Sequence, residues 1–383
     1  MNKNKIKNLE KVARRLHQAI NDKENIYVCS DSDVDGVGAA IIFKETVQYF
    51  NGEIKDYFLP DREQGGYGLN PVALDFFLQK EPGLLFLLDL GIANFEAIKK
   101  AEEAGFEVIV IDHHQILEKK PAASFIIDPH QEEDHYPFSD FAAAGLVYYL
   151  AEEMFCQKEI DFKIQKPLLE LATVSTVADM MPLEEDNREI IDKGTEEFKT
   201  TERIGFQLLK KAVGKDLNVH QQISRMVGLL NMSRLTADHL TEAFKLLTTT
   251  DANIAQEYVD LLVKERKSYN NKQKEMLAKF DNINKDQNLI FAGDKSWRPV
   301  LMGSVASKLS RRYECPVFLY ARGEKISRGS VRAPEGINVV KLMQKCSSLL
   351  INFGGHPPAA GFEILTKNLE KFKKCLQKNL KKK

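Results

Sequence analysis

The chain of 383 residues predicts an α/β fold, with a parallel-sheet domain joined by a long helix to a smaller α/β domain. Three observations predict it. Short apolar runs alternate with helical stretches in the first 112 residues, the pattern of βαβ units. A charged stretch from Ala252 to Phe280 holds no Gly or Pro and reads as one connecting helix. A second strand-forming region then begins near Asn288.

In order, residues 1–22 read as an amphipathic helix and Ile26–Cys29 as a strand. Ser30-Asp31-Ser32-Asp33-Val34-Asp35-Gly36 follows, then a helical pattern from Val37 to Phe50. Leu84–Leu88 is a second strand ending at Asp89. Residues 92–104 read as helical, and Val108–Ile111 is a third strand ending at Asp112. Residues 140–280 are mainly helical. Asn288–Phe291, Val317–Tyr320 and a glycine-rich loop, Gly354-Gly355-His356, belong to the C-terminal domain. The expected boundaries are 1–250, a connecting helix at 251–285, and 286–383.

Composition excludes some classes. No apolar run reaches the roughly 18–20 residues that span a bilayer. The N-terminus lacks the apolar segment of a signal peptide, which points to a cytoplasmic protein. Five scattered cysteines with no CxxC pair suit a reducing compartment and argue against a disulfide frame or zinc knuckle. Net charge is −1, but it is unevenly spread. Residues 286–383 hold 19 Lys/Arg against 7 Asp/Glu, and the remainder is acidic. That asymmetry is a hint of polyanion binding at the C-terminal end. The Lys-rich terminus alone reads equally well as a solvated helix; Arg298, Lys308, Arg311, Arg312, Arg322, Lys325, Arg328 and Arg332 lie outside it.

Three successive strands end in acids, and in open parallel sheets ligands bind beyond the carboxyl ends of the strands. Asp31, Asp33 and Asp35 alternate, so a continuing strand would turn all three to one face. Carboxylates that close repel one another unless a cation neutralises them. Mg²⁺ and Mn²⁺ take oxygen ligands, and imidazole shares Mn²⁺ sites. Taken alone, the run also resembles a calcium loop or a surface turn. A calcium loop requires Glu at its twelfth position, which here is Ile42. Asp112-His113-His114 adds three donors at one strand end, and Asp179 follows the apolar run Leu171–Val177.

These motifs resemble the DHH/DHHA1 phosphoesterase superfamily, and within it the RecJ-like single-strand exonucleases. Asp31-Ser32-Asp33-Val34-Asp35-Gly36 is similar to the RecJ form of the first motif, and Leu88-Asp89-Leu90-Gly91 to the second. Asp112-His113-His114 is the triplet that names the family. Arg62 with Gly66-Tyr67-Gly68-Leu69, and Ala178-Asp179-Met180-Met181-Pro182-Leu183 with Asn187-Arg188, resemble further segments. Gly329-Ser330-Val331-Arg332 and Gly354-Gly355-His356 followed by Ala359-Ala360-Gly361 resemble the DHHA1 phosphate-binding segments. Two segments depart from the pattern: Trp297–Gly303 stands for the usual WHxGVIG, and Asn231–Leu235 for NAAGR.

The resemblance implies two divalent metal ions, Mn²⁺ first and Mg²⁺ second. It implies Asp31, Asp33, Asp35, Asp89, His113 and Asp179 as ligands, with Asp89 bridging. It implies Asp112, His113 and His114 as catalytic, with His114 near the scissile phosphate. Arg62, Ser330, Arg332, Gly354, Gly355 and His356 would hold substrate. The implied activity is 5′→3′ hydrolysis of single-stranded DNA. Two alternatives are a nuclease for short oligonucleotides or cyclic dinucleotides, and a non-catalytic scaffold of a replication or repair complex. The chain ends soon after the Gly-Gly-His segment, where longer bacterial members continue into an OB-type domain. Grip on long strands is therefore expected to be weak or borrowed from a single-strand-binding or repair partner.

Overall fold

The computed structural model describes residues 6–61, 66–116, 119–161, 166–214, 216–282 and 287–380, apart from the side chain of His356. It forms two compact units, 1–266 and 267–383.

The first unit opens with α1 (Leu9–Asp22), β1 (Ile26–Ser30) and α2 (Val34–Tyr49). β2 (Asp56–Phe58), α3 (Pro71–Leu78), β3 (Leu84–Leu88) and α4 (Phe95–Glu103) follow, then β4 (Glu107–Ile111) and β5 (Phe125–Ile127). The five strands form one parallel sheet in the order β2-β1-β3-β4-β5. Its central strands are apolar almost throughout because both faces are covered. Val28, Phe86, Leu88, Ile109 and Ile111 pack on one face, in a core shared with α1 and α2. Their neighbours Tyr27, Cys29, Leu85, Leu87, Val108 and Val110 pack on the other, with α3 and α4. The alternation is the period of two of a pleated strand, here with two cores instead of one core and water.

The helical region comprises α5 (Ala143–Cys156), α6 (Lys166–Ala178), α7 (Glu185–Lys199), α8 (Ile204–Val213), α9 (Val219–Leu230), α10 (Glu242–Thr248) and α11 (Ala252–Ala278). α11 crosses the division between the units and is the long helix. α5 and α6 lie against α2 and enclose its apolar length, where Ala39, Ala40, Ile41 and Ile42 are fully buried.

The second unit contains β6 (Ile290–Asp294), α12 (Pro299–Tyr313), β7 (Val317–Ala321), β8 (Ile326–Arg332), α13 (Val339–Gln344), β9 (Leu350–His356), β10 (Ala359–Leu365) and α14 (Leu369–Asn379). Its sheet runs β6-β7-β8-β10-β9; of these pairs β6–β7 is parallel and the others antiparallel. Phe318, Val331, Phe362 and Phe372 fill one core, while Val305, Leu309, Val317 and Leu319 fill the other.

Three expectations change. The Gly354-Gly355-His356 segment is the end of strand β9 and not a loop, paired through Gly354↔Gly361 and Gly355↔Ala360. Gly355 sits at φ 135°, and a Cβ there would lie 2.5 Å from the Ala359 carbonyl oxygen, so the hairpin requires glycine. Cys346 and Cys375 form a disulfide, against the expectation from cysteine spacing; their Cα atoms are 6.1 Å apart, which packing of α14 beside the α13–β9 junction brings about. Among the described residues the first helix begins at Leu9 after a turn over 6–8, and residues 1–5 of the expected helix lie outside the described residues. Among the described residues no helix is long and apolar enough to cross a membrane.

Candidate metal centre

The site begins with sheet register. Ser30, Leu88, Ile111 and Ile127 pair across β1, β3, β4 and β5. The ladder continues one residue further: the amides of Asp31, Asp89 and Asp112 donate to the carbonyls of Leu88, Ile111 and Ile127, at 3.2, 2.9 and 3.1 Å. Asp31, Asp89, Asp112 and Asp128 therefore form a row along the carboxyl edge. All four are buried.

The first motif does not continue as a strand. β1 stops at Ser30, and Asp33 caps α2, its carboxylate accepting from the amides of Asp35 (3.0 Å) and Gly36 (3.1 Å). Asp35 thus sits in the first turn of α2, and a strand-to-helix turn gathers the three carboxylates instead of alternation. The Asp35 carboxylate accepts from the amides of Ala143 (2.7 Å) and Ala144 (2.9 Å) at the start of α5. Each carboxylate oxygen retains a second lone pair for a cation. The turn needs Gly36, because a Cβ there would meet the Asp31 carbonyl oxygen at 2.3 Å. Gly36→Ala is expected to displace Asp31 and weaken Mn²⁺ binding by roughly 10–100-fold, the usual cost of disturbing a ligand's support. Calorimetric titration measures it; wild-type affinity in the folded variant would refute the turn's role.

Asp89 adopts φ 58°, a left-handed conformation that is costly for a residue with a Cβ. Tyr67 supports it, its hydroxyl donating to the Asp89 carbonyl at 2.8 Å. Asp179 follows the last residue of α6. Among the described residues three donor groups result, each with its ligand atoms within 4.8 Å of one another: Asp31, Asp33 and Asp89; Asp35, His113 and Asp179; Asp89, His113 and His114. His113 Nε2 lies 3.2 Å from Asp89, 3.6 Å from Asp179 and 3.9 Å from Asp35. Asp89 and His113 link the groups.

Asp112 has a different place. Its carboxylate accepts from the amides of Ile92 (2.9 Å), His113 (2.8 Å) and His114 (3.2 Å) and from His114 Nδ1 (2.7 Å). It belongs to none of the three groups; it fixes the segment that carries the two imidazoles.

The two histidines are electrostatically opposite. Burial, helped by the charge of His114, pushes His113 down to about 4 and leaves it a neutral imidazole with a lone pair to offer. For His114 burial works the other way from its partners, and the hydrogen bond with Asp112 wins, raising it to about 9. Despite its own burial, Asp112 is held below the usual carboxylate range by His114 and the Ile92 amide. Burial drives Asp89 well above that range, reinforced by Asp35, Asp33 and Asp31. Asp35 is raised by burial and then by Asp33. Buried carboxylates facing each other with one neutral imidazole among them suit hard divalent cations: oxygen donors, one nitrogen, and clustered carboxylates.

The sites assigned in the C-terminal unit share one sheet end. Ser330 pairs with Gly361 and that with Gly354; Arg332 pairs with Ala359 and that with His356. Ser330 and Arg332 are two apart and share a face of β8. The Arg332 guanidinium lies beside Gly303 of α12, where a Cβ would stand 3.1 Å from Nη2. Arg62 lies outside the described residues. Sequence reading misses Tyr67 as a support for Asp89. It names Asn187 only as part of a motif, without its role of bridging the Asp140 and Pro182 carbonyls at 2.6 and 3.0 Å, and it misses the Asp128–His130 pair. The last has a signal: Asp128-x-His130 follows the apolar Phe125–Ile127 just as Asp112-x-His114 follows β4.

Residues 25–176 match the DHH family, N-terminal domain, and residues 286–382 the DHHA1 domain. The single-stranded-DNA-specific exonuclease RecJ of Bacillus subtilis is 32% identical over 369 residues, covering 94% of this chain and 46% of that protein. RecJ of Haemophilus influenzae is 27% identical, covering 97% and 69%. The chain thus spans about half the length of the first relative and about two thirds of the second. A crystal structure of exonuclease RecJ bound to manganese superposes with a TM-score of 0.85 at 27% identity, covering 98% of this chain and 96% of that one. RecJ of Thermus thermophilus in complex with Mn²⁺ gives 0.83 at 26%, covering 97% and 54%. With both domain types in order and the whole fold shared, the chain belongs to the DHH/DHHA1 phosphoesterase superfamily, in its RecJ-like branch.

Proposed function

We propose that the chain is a metal-dependent phosphodiesterase that removes nucleotides 5′→3′ from single-stranded DNA. The observation that carries this reading is the set of three donor groups linked by Asp89 and His113 at the sheet edge. Asp31, Asp33, Asp35, Asp89, His113 and Asp179 would hold two divalent ions, Mn²⁺ or Mg²⁺. Bound there, such ions lower the pKa of water toward neutrality and offset phosphate charge.

The chain's own residues supply the rest. His114, held through Nδ1 by Asp112, can donate from its other ring nitrogen to a phosphate oxygen or to the leaving oxygen. Neutral His113 contributes a lone pair, and Asp112 keeps both rings in place. Ser330 and Arg332 would grip phosphate through charge-assisted hydrogen bonds, as would the Gly354-Gly355-His356 end of β9. Contacts of this kind ignore base identity and weaken with salt. The names of the relatives and the excess of Lys and Arg after residue 286 favour a single strand as the substrate. That excess also leaves room for a single-strand-binding or repair partner, and a nucleic-acid substrate fits a cytoplasmic place of action.

The test incubates the protein and Mn²⁺ with 5′- or 3′-labelled single-stranded DNA, RNA, a dinucleotide and a cyclic dinucleotide. Immediate release of the 5′ label as mononucleotide from DNA, abolished by EDTA, is expected. Hydrolysis that survives EDTA would contradict the metal reading. Cleavage confined to the dinucleotides would replace the substrate.

A further inference from the structure

The sheet edge carries a second Asp–His pair outside the donor groups. Asp128 follows β5 as Asp112 follows β4, and the Asp112 amide donates to Ile127, the residue before Asp128. Neighbouring strands lie roughly 4.8 Å apart, so the two acids stand one strand spacing from each other. Two local contacts are repeated. Asp128 Oδ1 accepts from the His130 amide at 2.8 Å and faces His130 Nδ1 at 3.3 Å. Asp112 Oδ1 does the same with the His114 amide at 3.2 Å and His114 Nδ1 at 2.7 Å. His130 therefore makes the same two contacts with its acid as His114 does, displaced by one strand; Pro129 has no amide to match that of His113.

Asp128 is fully buried, and its Oδ2 has no hydrogen-bond partner among the described residues. A buried carboxylate needs compensation. Here it comes from the imidazole, which is turned so that Nδ1 faces the acid. Nε2 is left on the other side of the ring, 4.0 Å from the exposed Asp140 carboxylate, too far for a hydrogen bond. The bland alternative is a turn that merely ends an edge strand. A turn alone has no need of a buried acid behind an imidazole whose second nitrogen makes no hydrogen bond with Asp140.

We propose that His130, held by Asp128, is a phosphate-binding residue of the same site, donating from Nε2 to a phosphate oxygen of the nucleotide beside the metal centre. This rests on the phosphodiesterase reading above. Its place on the edge strand, next in the row after Asp112, puts the contact to one side of the reacting phosphorus and not among the metal ligands.

The test is equilibrium binding, which does not require turnover. Deoxyadenosine monophosphate and deoxyadenosine are titrated by calorimetry into the full chain with Mn²⁺, for wild type, His130→Ala and His130→Gln. His130→Ala is expected to weaken the monophosphate about tenfold and leave the nucleoside unchanged. His130→Gln, which keeps a donor, should recover part of the loss; it also serves if the alanine variant fails to fold. Steady-state hydrolysis of single-stranded DNA should show a raised KM with kcat within about threefold. Unchanged monophosphate affinity in a folded variant overturns the proposal, as does an equal loss for nucleoside and nucleotide. If wild type binds the monophosphate through His130 yet hydrolyses no DNA, the exonuclease reading fails and the phosphate site stands.

Discussion

Asp89→Asn is expected to lower hydrolysis of single-stranded DNA by about 10³-fold or more, roughly 4 kcal/mol of barrier, while making the metal-free protein more stable. Both effects have one cause. Asp89 is buried and faces Asp31, Asp33 and Asp35, and it shares a donor group with every metal-binding residue except Asp35 and Asp179. His113, its neighbour at 3.2 Å, belongs to that remaining group. Removing its charge takes a ligand from the middle of the cluster. The same substitution relieves repulsion that a metal-free fold must otherwise bear. Asparagine is nearly isosteric and tolerates the left-handed φ of 58° better than most residues, so backbone strain should not mask the gain. Alanine would lose that tolerance and is the poorer probe. Differential scanning calorimetry with and without Mn²⁺, beside the nuclease assay, checks the pair of effects. Near-wild-type turnover, or an undiminished rise in Tm on adding Mn²⁺, would sink the central role of Asp89.

What can be read from sequence follows from how the local signal arises. β3 and β4 are legible because burial on both faces leaves unbroken apolar runs, Leu84–Leu88 and Val108–Ile111. Their terminal acids are legible for the same reason. β2 and β5 span three residues each, too few for any period to show. Asp128 and His130 go unread with β5, since an acid gains meaning only when the strand before it is recognised. The Asp31–Asp35 run falls at the expected point in the chain but on a different backbone. Alternation suits a strand, but Asp33 is also a good N-cap residue, and the cap forms. Asp112 reads in sequence as a potential donor and, by the family resemblance, as catalytic; only the structure shows its oxygens committed to three amides and His114. The disulfide depends on tertiary packing of residues 29 apart, for which spacing carries no signal.

The second large effect is on how stability depends on pH. In the chelated protein Asp89 and Asp35 titrate well above their ordinary value of 3.8, through burial and through one another's neighbours. The folded state therefore holds their protons more tightly than the unfolded chain does. Where the folded state binds more protons, stability falls as pH rises. The loss begins near the unfolded value of 3.8 and is complete once pH has passed the raised folded values. His114 acts in the same direction higher up: its charge-stabilised fold is fully favoured below 6.5 and loses that advantage as pH passes about 9. Other groups add limbs of their own, so the informative quantity is a difference. The Tm of chelated Asp89→Asn minus that of chelated wild type should widen steadily from about pH 4 upward. Mn²⁺ should reverse the trend, because ligands must shed their protons to bind it and its stabilisation then grows with pH. At a concentration about 100 times its dissociation constant, a bound ion adds about 2.7 kcal/mol. A Tm difference that stays flat between about pH 4 and 8.5, or a Mn²⁺ shift independent of pH, would mean that the carboxylates do not share one buried field. The donor groups would then be neighbours in space without being a single site.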